Sequence, residues 1–327
     1  MVRKGGLVIA AVFVALAPCL AVAERLHAPL WVENLSPMAA LIGIPSQRTA
    51  DIREGLSVTA HTDLATHFVA QVSDNEQVFF DGESQRQSLG IRWGLSPVWE
   101  VSATLPVTRH SGGFVDSYVN RWHDAFGMSD GGRSAVPEDQ IRYQFNSLVQ
   151  GASLDRSASG RSDVTFELAH IAERQKDLQI AYAIGYKAST GNVDEWTGSG
   201  ASDVYSVARF SGAHQSDLPF YWHGQLGVTH VGSSALMGPR QKEWIGFGGL
   251  SMEWLLTSHW ALLAQFDSHS AILSSDLKAL GEPAGMLSLG LRRSLGRHWA
   301  VDVSFAEDIV VESAPDIIFQ ASLHYRP

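Results

Sequence analysis

From about residue 55 to its end, the chain alternates apolar and polar residues. Ile317, Phe319, Ala321, Leu323 and Tyr325 alternate with Ile318, Gln320, Ser322, His324 and Arg326. A period of two places the two sets on opposite faces of one strand. The same split separates Trp299, Val301, Val303 and Phe305 from Ala300, Asp302, Ser304 and Ala306. It recurs at Trp260–Phe266, Leu178–Tyr186 and Trp99–Val107. Read this way, the pattern predicts twelve strands, roughly 55–70, 84–95, 98–108, 161–173, 178–189, 202–212, 219–231, 243–256, 259–269, 285–294, 298–307 and 316–326. A further alternation at Ile141, Tyr143, Phe145, Ser147 and Val149 leaves fourteen open.

The connections alternate in length. Short ones fall at Ser96-Pro97, Glu173–Asp177, Ala213–Leu218, Thr257-Ser258 and Gly296-Arg297. Long ones fall at 71–83, 109–160, 190–201, 232–242, 270–284 and 308–315. Each strand is long enough to cross a bilayer at a tilt, and short turns facing long loops are the habit of transmembrane β-barrels. Trp93, Trp99, Trp222, Trp254, Trp260 and Trp299 sit beside the short turns on the apolar phase. Tryptophan favours the membrane interface, so these six read as an aromatic girdle. A soluble β-sandwich would bury its tryptophans and needs no such ring. The expected fold is therefore all-β: an antiparallel up-and-down transmembrane barrel over residues 55–327.

One stretch breaks the rhythm. In "RHSGGFVDSYVNRWHDAFGMSDGGR", residues 109–133, Phe114, Val115, Tyr118, Val119, Trp122, Ala125 and Phe126 recur at helical spacing, with Gly127 as C-cap. This predicts a short amphipathic helix in the longest loop, on the extracellular side. Tyr118, Trp122, His123, Asp124 and Phe126 are its contact residues.

Composition then narrows the compartment. Arg3-Lys4, the apolar run Leu7–Leu20 and Ala21-Val22-Ala23 form a secretory leader over 1–23, with cleavage after Ala23. The single cysteine, Cys19, lies within it, so the mature chain has no disulfide. The formal net charge is −10, and loss of Arg3 and Lys4 makes the mature chain more acidic still. That excludes nucleic acid, whose phosphates require clustered Lys and Arg.

"PLWVENLSPMAALIGIPSQ", "LGIRWGLSPVWEVSATLPVTRHSGGFVDSYVNRWHDAFGMSDGGR", "LDRSASGRSDV", "TGSGASDV" and "EDIVVESAPDIIFQASLHYRP" together resemble an uncharacterised family of Gram-negative outer-membrane barrels, domain of unknown function 3187. The resemblance spans nearly the whole mature chain. It implies a fold and a location, with outer-membrane lipid as the surroundings and periplasmic chaperones and the barrel-assembly machinery as partners in biogenesis. It implies no substrate or reaction. The chain departs from the usual aromatic C-terminus by ending on Pro327, with Tyr325 two residues earlier.

The polar phase supplies the interior candidates: Glu100, Glu167, Lys187, Asp203, Arg209, Glu253, Asp267, Arg292, Asp302 and Arg326. Mixed signs fit paired charges filling a narrow barrel, and the acid excess favours cations if a pore exists. Residues 24–54 form a periplasmic segment that either enters the lumen as a partial plug or straps its mouth. His110-Ser111 is a poor catalytic pair, because adjacent strand residues face opposite ways. Asp116, His123, Asp124 and Asp130 match no metal-ligand spacing. No catalytic residue, metal or cofactor is expected. The reading is a passive porin-like channel or transporter for a small solute. A non-transporting envelope protein is the alternative, and a hydrolase using His110 or His123 comes third.

Overall fold

The computed structural model describes residues 26–118, 121, 133–175, 177–214, 219–310 and 313–327. The expected leader and cleavage site, residues 1–23, lie outside them. In chain order the strands are β1 (Gly55–Val72), β2 (Glu76–Gly94), β3 (Trp99–Ser111), β4 (Arg142–Ser147), β5 (Gly151–Leu154), β6 (Ala158–Arg161), β7 (Val164–Arg174) and β8 (Leu178–Ala188). There follow β9 (Asp203–His214), β10 (Phe220–His230), β11 (Trp244–Leu255), β12 (Trp260–His269), β13 (Ala284–Leu295), β14 (Trp299–Asp308) and β15 (Ile317–Tyr325).

Twelve of these form the wall. Each of β1, β2, β3 and β7 to β15 pairs antiparallel with the next, and β1 pairs with β15, which closes the barrel. Burial follows the period of two: β8 reads half-buried for three residues, then strictly buried and exposed in turn. The exposed set is apolar. Ile184 is 64% exposed, Leu226 69% and Val303 60%. Such a continuous apolar exterior suits lipid and not water. This is a closed twelve-stranded barrel of the outer-membrane kind.

Three strands lie beyond the wall. β4 and β5 form a hairpin on the outer half of β2, where Val78 pairs with Phe145 and Phe80 with Tyr143. The alternation near 141–149 is thus a loop hairpin and not a wall strand. β6 pairs with the top of β3 and leads into β7 through the buried Ser162-Asp163, where the register against β3 slips by one residue. That slip is a β-bulge, and it turns two successive side chains inward. The expected loop at 71–83 is also corrected. β1 and β2 run on as one long hairpin around Ser73, whose N–H donates to Glu76 O at 2.8 Å. Beyond the bilayer, outward positions no longer need to be apolar, so the strand continues after its lipid-facing pattern stops.

Short turns gather at one end with residues 55 and 325; long loops gather at the other. Two of the short turns share one device. Ser96 Oγ accepts from the N–H of Val98 and Trp99, and Thr257 Oγ1 from those of His259 and Trp260. At the long-loop end, 21 buried apolar residues from the loops, the strand tops and residues 38–42 pack into one cluster. It includes Phe80, Tyr143, Trp196, Met237 and Leu273, and it roofs the barrel.

Candidate functional site in the barrel interior

The interior is occupied by residues 26–54. They enter at the short-turn mouth, rise to the roof and return. On the way up, Arg292 Nη1 donates to Ala28 O at 2.9 Å, and Leu30 N–H donates to Gln265 Oε1 at 2.8 Å. Trp31 stacks on His61 with ring centroids 5.0 Å apart, and Asn34 reaches His269 at 2.9 Å. Leu30, Val32 and Leu35 press on Ala65, Ala261, Leu263 and Ala306 of the wall. Small alanines there leave room for the incoming side chains.

The apex is clamped. Lys187 Nζ donates to Leu41 O at 2.7 Å, while Gly43 N–H donates to Asp203 Oδ2 at 2.8 Å. Thr229 Oγ1 donates to Gly43 O at 3.1 Å. A Cβ on Gly43 would meet Lys187 Cβ at 3.1 Å and Asp203 Cβ at 3.2 Å, so a larger residue would push these two side chains back by a few tenths of an ångström. On the way down, Gln47 Nε2 donates to Asp267 Oδ1 at 2.7 Å, Ala50 N–H to Ser211 Oγ at 2.8 Å, and Arg174 to Ile52 O at 2.8 Å.

Most of the predicted interior charges fall into ion pairs and clusters, while Asp267 accepts from the amides of Gln47 and Gln265. Arg209 holds Glu167 with two bonds of 2.7 Å, joined by Tyr205 OH at 2.7 Å and by Arg48 at 3.2 Å. Lys187 bridges Asp163 at 2.9 Å and Asp203 at 3.1 Å. Nearest the short turns, Arg292 holds Asp302 at 2.6 and 2.7 Å and Glu253 at 3.1 Å. His324 adds to Asp302, and His27 to Glu253. Glu100 binds Arg92 at 2.9 Å. The predicted residues are buried except Arg326, which is half-buried at the mouth, and their partners His27, Arg48, Arg92 and His324 are half-buried. Outside the wall, Arg156 bonds to Glu195 at 2.9 and 3.2 Å and holds that carboxyl below its ordinary range.

A cavity of about 180 Å³ remains beside the segment. It runs from Gly296 and Arg297 at the short-turn mouth, past Trp31, Arg48 and Arg92, to Asp163 and Lys187 under the roof.

Of the six predicted girdle tryptophans, Trp93, Trp99, Trp260 and Trp299 are exposed on the outer surface, and Trp222 and Trp254 are half-buried. All six sit near the short turns. Trp244, 60% exposed at the opposite end, escaped the sequence reading because it borders a long loop. Residues 116–118 and 121 are helical, and Tyr118 is 73% exposed. Trp122, His123, Asp124 and Phe126 lie outside the described residues. Asp116 is buried against Arg133 Nη1 at 2.7 Å.

His110 has a serine partner, but not Ser111. It bonds to Ser84 at 2.9 Å, and Ser84 also contacts His67 at 2.9 Å and Tyr143 at 3.3 Å. The signal was available in the sequence: reflecting residue 110 through the turn at Pro97 gives residue 84, the observed cross-strand pair. All four side chains are buried under the roof, and His110 also bonds to Trp196 O. A cavity of about 10 Å³ lies beside Ser84 and His110.

The profile of a family described as a protein of unknown function (DUF3187) matches residues 6–326. No curated protein matches the chain. Among solved structures, the COG4313 outer membrane channel from Pseudomonas putida F1 is similar, with TM-score 0.53 and 10% identity over 84% of this chain and 95% of that one. The NanC porin gives 0.44 with 8% identity, over 84% and 100%. The toluene transporter TbuX of Ralstonia pickettii gives 0.38 with 11%, over 93% and 96%.

Proposed function

The chain belongs to the DUF3187 family, and from that premise and its occupied interior we propose an outer-membrane channel or transporter for a small solute, shut at rest by its own N-terminal segment. One observation carries the reading: a cavity with charged and polar side chains among its lining runs beside the segment from the short-turn mouth to beneath the roof. A twelve-stranded barrel is wide enough to pass a small solute once such a segment moves. Residues 41–50 are held by the Arg48–Glu167 ion pair, by apolar packing of Leu41 and Ile42, and by separate hydrogen bonds. Each of those bonds contributes about 0.5–1.5 kcal/mol between neutral groups and about 1.5–3 kcal/mol where one partner is charged, so the segment can be released stepwise. The outer-membrane channel of Pseudomonas putida, which has the same fold, agrees with the reading. Short turns and the two chain ends of the barrel, near residues 55 and 325, then face the periplasm, with the cavity opening there and the six-tryptophan girdle at that interface. Outer-membrane lipid surrounds the wall. Periplasmic chaperones and the barrel-assembly machinery deliver it.

The apolar roof favours a second reading, a non-transporting envelope protein with its loops as contact surface. Planar-bilayer recordings separate the two. Thr49 Oγ1 and Ser211 Oγ lie 3.2 Å apart, so a Thr49→Cys/Ser211→Cys variant locks the segment to β9. The channel reading expects brief openings of the native chain, none in the oxidised variant, and recovery on reduction. Native barrels that stay silent at every voltage, while barrels lacking residues 26–54 conduct, would favour the second reading.

A further inference from the structure

We propose that the cavity binds a small organic monoanion, a carboxylate, between Arg48 and Arg92. This deepens the channel reading by naming a solute class, and it rests on that reading only for the route of entry. Seven cationic side chains and five carboxylates line the cavity, in a chain of formal net charge −10. The local excess therefore opposes the sign of the whole molecule. It also inverts the cation preference expected from the strand pattern. A cleft lined by one excess sign between low-dielectric walls focuses the field on its counter-ion.

The carboxylates are already committed. Asp163 accepts from Lys187 and from the backbone N–H of Thr190, Gly191 and Ser199. Asp267 accepts from Gln47 and Gln265. The guanidinium groups are less fully used. Arg92 Nε donates to Glu100, and its two terminal nitrogens have no protein partner among the described residues. Arg86 Nε is buried and also lacks one among them.

Geometry gathers two of these cations. Arg48 Nη1 donates to Ser102 Oγ at 2.6 Å and Nη2 to Thr104 Oγ1 at 3.3 Å. The register puts Arg92 opposite Ser102 and Gly90 opposite Thr104. Arg48 and Arg92 thus converge on neighbouring positions of β3, and the glycine leaves the intervening wall without a side chain. Trp31 lies over that gap: a Cβ on Gly90 would come within 2.8 Å of its ring. Thr59, opposite Gly90 on β1, lines the far side.

This is the chemistry of carboxylate capture. A guanidinium presents paired N–H donors that match a carboxylate, threonine hydroxyls add further bonds, and an indole face covers a short carbon skeleton. Glu100 and Glu167 stand close behind the two arginines. They penalise a second negative charge on the ligand, which selects a monoanion over the dianion of inorganic phosphate.

The test is calorimetric binding to the full chain in detergent micelles at about pH 8, where inorganic phosphate is mostly the dianion, using gluconate, glucose and N-methylglucamine, polyols on a six-carbon chain with different charge, and inorganic phosphate. Gluconate is expected to bind at least ten-fold tighter than each of the others. Arg92→Gln should weaken it at least ten-fold. Glu100→Gln, which removes the competitor for Arg92, should tighten it several-fold, a gain that misfolding does not produce. Gluconate binding no tighter than glucose, or affinity unmoved in both variants, would overturn the proposal. Binding in micelles requires no conduction. Anion binding in a barrel that never conducts would refute the channel reading alone, and conduction without anion binding would refute this inference alone.

Discussion

Glu167 shows what a single interior residue carries. It is buried and receives two guanidinium groups and a phenol. Removing one partner of a buried ion pair strands the other charge, at a cost of about 3–5 kcal/mol. Glu167→Ala should lower barrel stability by that order in denaturant titrations from lipid vesicles. Tyr205→Phe, which removes one bond to the same carboxylate, should cost about 2 kcal/mol. That Glu167 points inward was legible, since it lies on the polar phase of its strand. Its partner Arg48 was not. Residues 29–54 have no two-residue period, so nothing in the sequence orients their side chains against the wall.

At the scale of elements, the β4–β5 hairpin is tied to β2 by Tyr143 and Phe145, both fully buried in the roof. Arg142, next to them, is exposed but held in a paired strand. Phe145→Ser removes one of the hairpin's two buried aromatic anchors. Trypsin should then cleave after Arg142 in the folded variant, while the native chain resists under the same conditions; equal resistance would mean that pairing alone holds the hairpin. The alternation of this segment was legible as strand. Its place outside the wall was not, because a period of two records which face is buried and not against what. The segment at 71–83 failed the other way, since strand persists there after the lipid-facing signature has ended.

The whole molecule reads as a depth scale. Leu226 lies midway along β10 on the lipid-facing surface, and Trp244 lies at the long-loop rim. A cation facing lipid costs about 2–4 kcal/mol at the bilayer midplane and about 0–1 near the interface. Leu226→Arg should therefore reduce folding stability in vesicles by the larger amount, and Trp244→Arg by the smaller. Equal losses at both sites would contradict the placement of the bilayer. Closure of the wall was legible in the even strand count and the alternating turn lengths. The roof was not, because its members come from six separate parts of the chain and meet only in three dimensions.

The N-terminal segment enters and leaves through the same mouth, so it forms a fold-back and is not threaded through the barrel. It can be inserted after the wall has closed, and withdrawn without reopening the β1–β15 seam. A pull applied near residue 26 would load its bonds one after another, starting at Arg292, passing the apex and reaching the descending limb last. That is a peeling geometry, which yields at far smaller force than contacts strained all at once.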